Sequence, residues 1–375
     1  MNKNPFKILL ATSIYPPDPG GPALHAHRFY TWLGERGVER EVVVLSHYRS
    51  LPKGIRHLVY LWQLWRKARG VSAIYAYDAL GAGLPAVLVA RLRGKKLVIR
   101  IGGDIPWERA SGSGETELSM LEWYQEGRQR ENLNFKLSRW VIRRADQIIT
   151  VSDLLSRLYI EHYGVPAERV ITLPNPVPER GGVSPSHTTL TRDIIFASRL
   201  VKYKNLSLVL RVLSRVLPEY TDVRFVIMGD GPEREALEGQ ARSLGLGGKV
   251  VFTGLVPETE VSKRTAESYL GLAPALTEFN PNYILQCIAY GKPFLISSEH
   301  GMPFEVPERL VFNPRDEADL ENKLRNLLDR EGYEHAREAL LGLTPGTTWE
   351  SVLSTNLEII KNVQSQALHK TPKVE

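Results

Sequence analysis

The stretch DIIFASRLVKYKNLSLVL, residues 193–210, decides the fold because it joins a strand, a basic loop and a helix in that order. The apolar run at 193–198 predicts a buried strand. The pattern from Leu206 to Leu217 predicts a helix with one apolar face. Repetition of such a unit is typical of a parallel sheet with helices on both faces.

The same alternation extends on both sides of this stretch. Helical patterns such as Pro22–Arg36 and Glu233–Leu244 separate short apolar runs that end in turn residues. These runs predict strands at Phe6–Ala11, 41–45, 73–77, 96–101, 147–151, 169–173, 223–228, 249–252, 270–273 and 293–297.

Between Pro174 and Arg192 the composition changes to Pro, Gly, Ser and Thr, which is typical of an interdomain linker. We therefore expect the α/β fold class, with two Rossmann-like, doubly wound domains at 1–178 and 190–345. Ligands of open α/β sheets bind at the carboxyl ends of the strands. We expect loops of both domains to share one site in a central cleft.

The charge of the 375-residue chain is unevenly distributed. Residues 1–180 carry 26 Lys and Arg against 17 Asp and Glu, a net charge of +9, whereas 181–375 carry 22 against 25, a net charge of −3. This asymmetry points to a negatively charged partner for the first half: a nucleic acid, an anionic membrane or a phosphorylated acceptor. A recognition helix, a zinc motif and an aromatic platform are all missing from the sequence, so we do not expect nucleic acid.

The sequence indicates neither a membrane span nor a signal peptide. No run approaches the roughly 20 apolar residues that a spanning helix needs, and Met1–Leu10 resembles a charged strand start. We expect a cytoplasmic protein, with the inner face of the cell membrane as a peripheral location. The single cysteine, Cys287, excludes an intrachain disulfide and a cysteine-based metal cluster, and we expect it to be a small buried residue.

A glycine pair follows the first predicted strand. Gly20 and Gly21 lack side chains and precede a helix, so their backbone N–H groups could approach a phosphate. A simple turn is the alternative, since the dinucleotide fingerprint G-x-G-x-x-G is missing. His25, a few residues into the helix, is either a ligand-binding residue or a surface histidine.

Two cations stand beside the helix start of the deciding stretch. Arg199 follows the strand and Lys204 comes five residues later, an arrangement that suits a diphosphate. A solvated basic loop is the alternative. Downstream, Gly229 and Gly254 end two further strands in tight turns.

The segment ALTEFNPNYILQCIAYGKP, residues 275–293, completes the pattern with an acidic residue after a strand, a polar turn and an apolar helix. The ordered pieces resemble glycosyltransferase family four, a retaining GT-B family, over nearly the whole chain. Those pieces are GG-x3-H from Gly20, SRL-x3-KN from Ser198, GDGP from Gly229, FTG from Phe252, and E-x7-Q from Glu278 followed by GKP. Thr348-Trp349-Glu350 resembles the start of the family's closing helix, at about 346–365, which returns to the first domain.

This resemblance implies a nucleoside diphosphate sugar as donor, bound mainly by the second domain. Arg199 and Lys204 would neutralise the diphosphate, so neither a metal nor another cofactor is expected, and no Asp-x-Asp pair occurs in the sequence. Glu278 would accept hydrogen bonds from sugar hydroxyls. The remaining donor-binding residues implied are Gly20, Gly21, Gly229, Gly254, Leu255, Asn280, Pro281, Asn282 and Gln286.

The chain departs from the family pattern at three places. Gln286 stands where a second glutamate commonly binds ribose. Phe279-Asn280-Pro281-Asn282 replaces a glycine-rich turn, and Pro281 has no N–H to offer a phosphate. A strand-end histidine is replaced within 101–108, where Asp104 is the obvious polar group. We expect Asp104 near the transferring sugar and, with His25, near the acceptor; capping of a turn is the alternative for Asp104.

We expect a hexosyltransferase that retains the anomeric configuration. In a same-face displacement the departing phosphate oxygen would help to take the acceptor proton. A double displacement through Glu278 stays open. A catalytically silent GT-B protein, acting as a scaffold or as one component of a complex, is the alternative that Gln286 and the altered turn favour.

The acceptor is indicated by a basic, aromatic stretch, HLVYLWQLWRKAR at 57–69. Leu58, Leu61, Trp62 and Trp65 recur at helical spacing, which predicts either a helix buried against its own sheet or an interfacial helix on an anionic membrane. A second basic stretch spans 128–144. The two together favour a saccharide or lipid-linked acceptor of the cell envelope or of polysaccharide synthesis.

Overall fold

The computed structural model describes residues 6–178, 192–343 and 347–368. Its described residues fall into two compact units. One unit comprises the described residues within Met1–Pro106, Gly127–Pro174 and Glu350–Glu375, and the other comprises those within Trp107–Glu126 and Asn175–Trp349. The greater part of the predicted linker, 179–191, lies outside the described residues, as does residue 346 at the predicted start of the closing helix.

Strands and helices alternate in both units. The described strands are β1 (Lys7–Thr12), β2 (Glu39–Val44), β3 (Ala73–Ala76), β4 (Lys96–Ile101), β5 (Gln147–Thr150), β6 (Val170–Thr172), β7 (Arg192–Ala197), β8 (Val223–Met228), β9 (Val250–Gly254), β10 (Leu270–Ala273), β11 (Phe294–Ser297) and β12 (Val311–Phe312). The described helices are α1 (Gly21–Glu35), α2 (Lys53–Lys67), α3 (Gly83–Arg93), α4 (Ile105–Gly112), α5 (Met120–Gln125), α6 (Leu133–Ile142), α7 (Asp153–Glu161), α8 (Leu206–Val216), α9 (Arg234–Ser243), α10 (Glu258–Glu267), α11 (Asn282–Ala289), α12 (Glu317–Leu328), α13 (Arg330–Leu341) and α14 (Trp349–Leu368).

Each unit contains one parallel six-stranded sheet. The orders are β2-β1-β3-β4-β5-β6 in the first unit and β12-β11-β10-β7-β8-β9 in the second. In both sheets the first strand of the unit lies inside, and the chain moves to one side and then crosses to the other, as in doubly wound folds. The predicted fold class, two Rossmann-like domains, is confirmed.

The sheets are stable because helices cover their apolar strands. In the second unit, α8 buries Val209, Val212, Leu213 and Val216, at the spacing of one helical face. Burial of each such side chain stabilises the fold by roughly 1.5–3 kcal/mol. Cys287 of α11 is fully buried, as predicted, and burial raises the pKa of its thiol to about 12.

The helix α14 packs in the first unit through polar contacts. From Glu350 onward it belongs to that unit. The Trp32 indole donates to Glu350 at 2.7 Å, and the Tyr75 hydroxyl donates to Asn356 at 2.5 Å. These contacts attach α14 to α1 and β3, because Trp32 and Tyr75 lie on those elements.

The burial of side chains on α2 differs from one of the two predicted alternatives. Its buried residues are Tyr60 and Leu64, whereas Leu58 and Trp62 are 67% and 55% exposed. The alternative in which Leu58 and Trp62 belong to the core is therefore wrong. Burial against the sheet uses the other apolar stripe of the same helix.

Candidate active site

The loops that follow the strands of the second sheet come together at its carboxyl edge. The Gly229 amide donates to the Gly254 carbonyl at 2.9 Å, which joins the ends of β8 and β9. The Ser198 amide donates to the Met228 carbonyl at 3.1 Å, which joins β7 to β8. Because all strands are parallel, the residues after β7 and β10 lie at the same edge.

Gly229 is required there by the backbone itself. Its φ is 149°, and a Cβ atom would lie 1.9 Å from the Ser198 carbonyl oxygen. Packing of the strand ends is therefore sufficient to explain why residue 229 is a glycine, and no ligand contact is needed for that explanation. Leu255, directly after Gly254, is 57% exposed and can contact a ligand. The donor-binding roles of these three residues stay predictions.

Lys204 and Glu278 form a buried ion pair in the second unit. The Lys204 Nζ lies 2.8 Å and 3.0 Å from the two carboxylate oxygens of Glu278. The Lys204 and Glu278 side chains are 11% and 3% exposed. Backbone hydrogen bonds to Glu299 and from Gly301 hold the main chain of Glu278. A charge at this depth needs its partner, since removal of one member leaves the other uncompensated.

Arg199 lies beside this pair and is more exposed. Its guanidinium lies 3.1 Å from the Tyr203 hydroxyl and 3.4 Å from the Glu108 carboxylate. The neighbouring Tyr203 and Glu108 raise the pKa of Arg199, so it is charged at neutral pH. The Lys204 Nζ lies 5.6 Å from the centre of the Tyr203 ring. Tyr203 therefore contacts both cations.

The segment 107–126 completes this cluster, and sequence reasoning missed its role. The Trp107 ring lies 5.1 Å from the Tyr203 ring and 6.1 Å from the Phe279 ring. The Ser119 hydroxyl donates to Glu299 at 2.5 Å, and Ser119 also caps α5. The S-x-x-E pattern at 119–122 predicts a helix start, but nothing local predicts that this segment packs in the second unit.

The altered turn after β10 is largely buried. The Asn280 side-chain amide donates to the Gly301 carbonyl at 3.3 Å, and Pro281 precedes the first residue of α11, Asn282. Gln286 is 3% exposed and lies 3.4 Å from the Thr265 hydroxyl, which donates to Val261 at 2.7 Å. The roles predicted for these residues in donor binding stay predictions.

In the first unit, α1 begins without a side-chain cap. Gly20 is the N-cap residue before Gly21, has a φ of 126° and, lacking a side chain, accepts no capping hydrogen bond from the first amides of α1. The amides of Gly21 and Ala23 can therefore donate to an anion, whereas Pro22 between them has no N–H. This geometry is compatible with the predicted phosphate contact, which stays a prediction.

His25 is a core residue and not the surface histidine of the sequence analysis. It is 4% exposed, and its Nδ1 lies 3.1 Å from the Tyr77 hydroxyl. Burial, together with Arg100 and Arg28, lowers the pKa of His25 well below its usual value. The imidazole is therefore neutral near pH 7. An acceptor-binding role for His25 stays a prediction.

Asp104 is fully buried after β4. The Tyr163 hydroxyl lies 3.0 Å and 3.1 Å from its two oxygens, and the Tyr159 hydroxyl donates to the Gly103 carbonyl at 3.1 Å. These contacts fix the loop inside the first unit. They are sufficient to explain the carboxylate structurally, and its role near the sugar or acceptor stays a prediction.

We expect Asp104→Asn to lower the free energy of unfolding by about 0.5–2 kcal/mol, because the amide oxygen of Asn still accepts the hydrogen bond from Tyr163 but accepts it more weakly than a carboxylate. Urea unfolding measures this loss. Tyr163→Phe is the matched variant, and the double variant should lose less than the two single losses together. Unchanged stability combined with slow sugar transfer would instead favour a direct role of Asp104 at the substrate.

Metal clusters and membrane-spanning helices are both missing from the described residues of the two units. In those residues, no group of three or more His, Cys, Asp or Glu side chains is placed to hold a metal ion. No helix in the described ranges is long and apolar enough to cross a membrane.

Two family models together match most of the chain. Residues 10–176 match the family model of the glycosyl transferase 4-like domain, and residues 191–330 match that of the glycosyl transferases group 1. A phosphatidylinositol N-acetylglucosaminyltransferase subunit of Arabidopsis thaliana is 24% identical over 82% of this chain and 70% of its own. The human protein of the same name is 22% identical over 81% of this chain and 64% of its own. Sulfoquinovosyl transferase SQD2 of Arabidopsis thaliana is 31% identical, over 42% of this chain and 31% of its own.

Solved structures show the same fold. Sucrose-phosphate synthase of Thermosynechococcus elongatus superposes with a TM-score of 0.74 at 14% identity, over 96% of this chain and all of that one. Anabaena HepE, solved with UDP and glucose, has a TM-score of 0.66 at 16% identity, over 97% of this chain and 99% of that one. WaaG, a glycosyltransferase of lipopolysaccharide biosynthesis, has a TM-score of 0.68 at 14% identity, over 95% and 99%.

Proposed function

Because the chain belongs to the glycosyltransferases of the GT-B fold and the family-four type, we propose that it uses a nucleoside diphosphate sugar as donor. The acceptor is a saccharide or a lipid-linked molecule of cell-envelope or polysaccharide synthesis. The observation that carries this proposal is the cluster of Arg199, Lys204 and Glu278 at the carboxyl edge of the second sheet. The same cluster contains two cations for a diphosphate and one carboxylate for sugar hydroxyls.

Names of related proteins support both substrates. Anabaena HepE was solved with UDP and glucose, which are a nucleoside diphosphate and a sugar. The Arabidopsis and human relatives are named as phosphatidylinositol N-acetylglucosaminyltransferase subunits, and phosphatidylinositol is a lipid. These names therefore support the proposal of a nucleotide sugar as donor and a lipid-linked molecule as acceptor.

The cluster suits stabilisation of a leaving diphosphate. As the sugar departs, negative charge grows on the phosphate oxygens, and cations that are already in place stabilise that charge. Arg199 is exposed enough to meet a ligand, and Lys204 needs only to share its ammonium between Glu278 and the phosphate. A hydrogen bond to a charged group contributes about 1.5–3 kcal/mol.

The proposed reaction needs no metal and no other cofactor and proceeds with retention. The acceptor oxygen bonds to the anomeric carbon on the same face from which the nucleoside diphosphate departs, and an oxygen of the departing phosphate takes the proton of the acceptor hydroxyl. Lys204 holds the Glu278 carboxylate in a fixed position, where it can accept hydrogen bonds from sugar hydroxyls. A covalent route through Glu278 is the alternative that product stereochemistry and trapping of an intermediate would distinguish.

We expect one member of a panel of nucleoside diphosphate sugars to raise the melting temperature. At a concentration one hundred times its Kd, such a ligand stabilises the protein by about 2.7 kcal/mol. Differential scanning fluorimetry measures the shift, and the matching nucleoside monophosphate is the control. No shift with any sugar nucleotide, together with no transfer, would contradict the proposed donor class.

A further inference from the structure

Exposed apolar side chains are concentrated on three helices of the first unit. Among the described residues, nine of the eleven large hydrophobic side chains that are exposed lie on α2, α3 and α6. They include Leu58, Trp62 and Trp65 on α2, Leu92 on α3, and Leu133 and Trp140 on α6. Because α3 packs against both α2 and α6, these helices form one surface, here named the three-helix face.

The three-helix face is uniformly basic. The helices α2, α3 and α6 carry eight Lys and Arg residues and no Asp or Glu. Ordinary solvent-exposed helices mix both signs of charge. Such a surface is matched by a partner that is negatively charged and also accepts apolar side chains.

A groove in this face is lined by six cations, three of them on α3 and α6 and three on the segments that flank α6. It has a volume of about 690 Å³, and Phe135 and Trp140 form its aromatic walls. None of the six pairs with a carboxylate anywhere in the described residues. Arg139 and Arg144 donate to the Tyr163 and Trp140 carbonyls, but no carboxylate of the described residues offsets the mutual repulsion of the six cations, which an anion in the groove would reduce. The six cations are Arg91, Arg130, Lys136, Arg139, Arg143 and Arg144.

Each tryptophan of the face carries an arginine at its ring. The guanidinium carbon lies 3.7 Å from the ring centre for Arg93 over Trp65, and 4.2 Å for Arg144 over Trp140. Tryptophan and arginine together suit the headgroup level of a bilayer, where rings meet the interface and guanidinium groups meet phosphates.

We propose that the three-helix face docks on an anionic lipid bilayer. The leucines at its rim enter the boundary between headgroups and acyl chains, and the groove cations contact lipid phosphates. Leu92 and Leu133 are 74% and 68% exposed, and a soluble anion or a nucleic acid would have no use for such side chains. This inference goes beyond the proposed function and does not depend on it.

Co-sedimentation with vesicles tests the proposal. We expect at least tenfold more protein on vesicles of phosphatidylcholine with about 30% phosphatidylglycerol than on phosphatidylcholine alone, and less binding at high salt. Arg91→Glu with Arg143→Glu should lower binding at least fivefold. Arg309→Glu with Arg330→Glu, in the second unit, changes the net charge equally and should leave binding within twofold.

An apolar pair of variants separates a bilayer from other polyanions. Leu92→Ser with Leu133→Ser keeps the charge and removes only exposed side chains, and we expect at least threefold weaker binding to the anionic vesicles. Leu341→Ser, 87% exposed in the second unit, is the matched control. Equal recovery with both vesicle types, recovery with neither, or binding that is indifferent to the leucines would overturn the proposal. Unchanged thermal shifts of these variants with the donor would show that donor binding does not depend on the three-helix face.

Discussion

Arg199→Ala is expected to lower the rate of sugar transfer by about two to four orders of magnitude, because it removes a cation from the charge that grows on the leaving diphosphate. The fold should be unaffected. The Arg199 side chain is 61% exposed, and its contact with Glu108 is a partly solvated ion pair, which contributes little to stability. Steady-state kinetics and thermal unfolding measure the two effects separately.

Two variants control this result. Arg211→Ala removes a partly exposed arginine whose ion pair with Glu317 lies between α8 and α12, and it should keep wild-type transfer. Glu108→Gln removes the carboxylate beside Arg199 without removing the arginine, and transfer should stay within a few fold. Wild-type turnover of Arg199→Ala with donor bound would exclude the guanidinium from the proposed diphosphate site.

The sequence predicts strands accurately where both faces of the strand are buried, because such a strand consists of a continuous run of apolar residues. The bounds predicted for β4, β8 and β10 agree with the structure, because each of these strands is covered on both faces and ends at turn residues. β12 was missed, since it has only two residues and leaves no periodic signal. Local pattern therefore predicts the interior of a sheet better than its edge.

The sequence could not reveal which stripe of α2 faces the sheet. Tyr60 and Leu64 are buried, while Leu58, Trp62 and Trp65 at similar spacing are exposed. Both stripes satisfy helical periodicity, so the choice depends on packing against β2 and α3. The exposed stripe is the larger and more aromatic, contrary to the usual expectation for a core.

The sequence predicted which chemical groups belong to the candidate site, but not which residues contact one another there. The residue types at 199, 204 and 278 indicated cations and a carboxylate, and the structure brings them around Tyr203. The contacts of 107–126 join residues far apart in the chain, such as Ser119 with Glu299 and Met120 with Thr277. Contacts of that range leave no local signal, so Trp107 and Glu108 could not be assigned to this cluster.

Glu278→Gln is expected to lower sugar transfer by at least two orders of magnitude while leaving the affinity for the free nucleoside diphosphate unchanged or higher. A diphosphate has no sugar hydroxyls to lose, and Lys204 is freed from a carboxylate that competes with phosphate oxygens. Transfer assays and isothermal titration calorimetry measure the two quantities. The same substitution should also destabilise the second unit, because breaking a buried ion pair from one side costs about 3–5 kcal/mol.

The cost in stability has to be separated from the cost in catalysis. Lys204→Met with Glu278→Gln removes both charges, so it should unfold at a higher urea concentration than Glu278→Gln alone. It should still be inactive, because both the diphosphate cation and the sugar acceptor group are gone. If Glu278→Gln kept full transfer, the carboxylate would serve only to hold Lys204, and the sugar would have to be oriented by other groups. If it lost nucleoside diphosphate affinity and transfer equally, the defect would lie in the folding of the site, since a specific sugar contact affects only the sugar nucleotide.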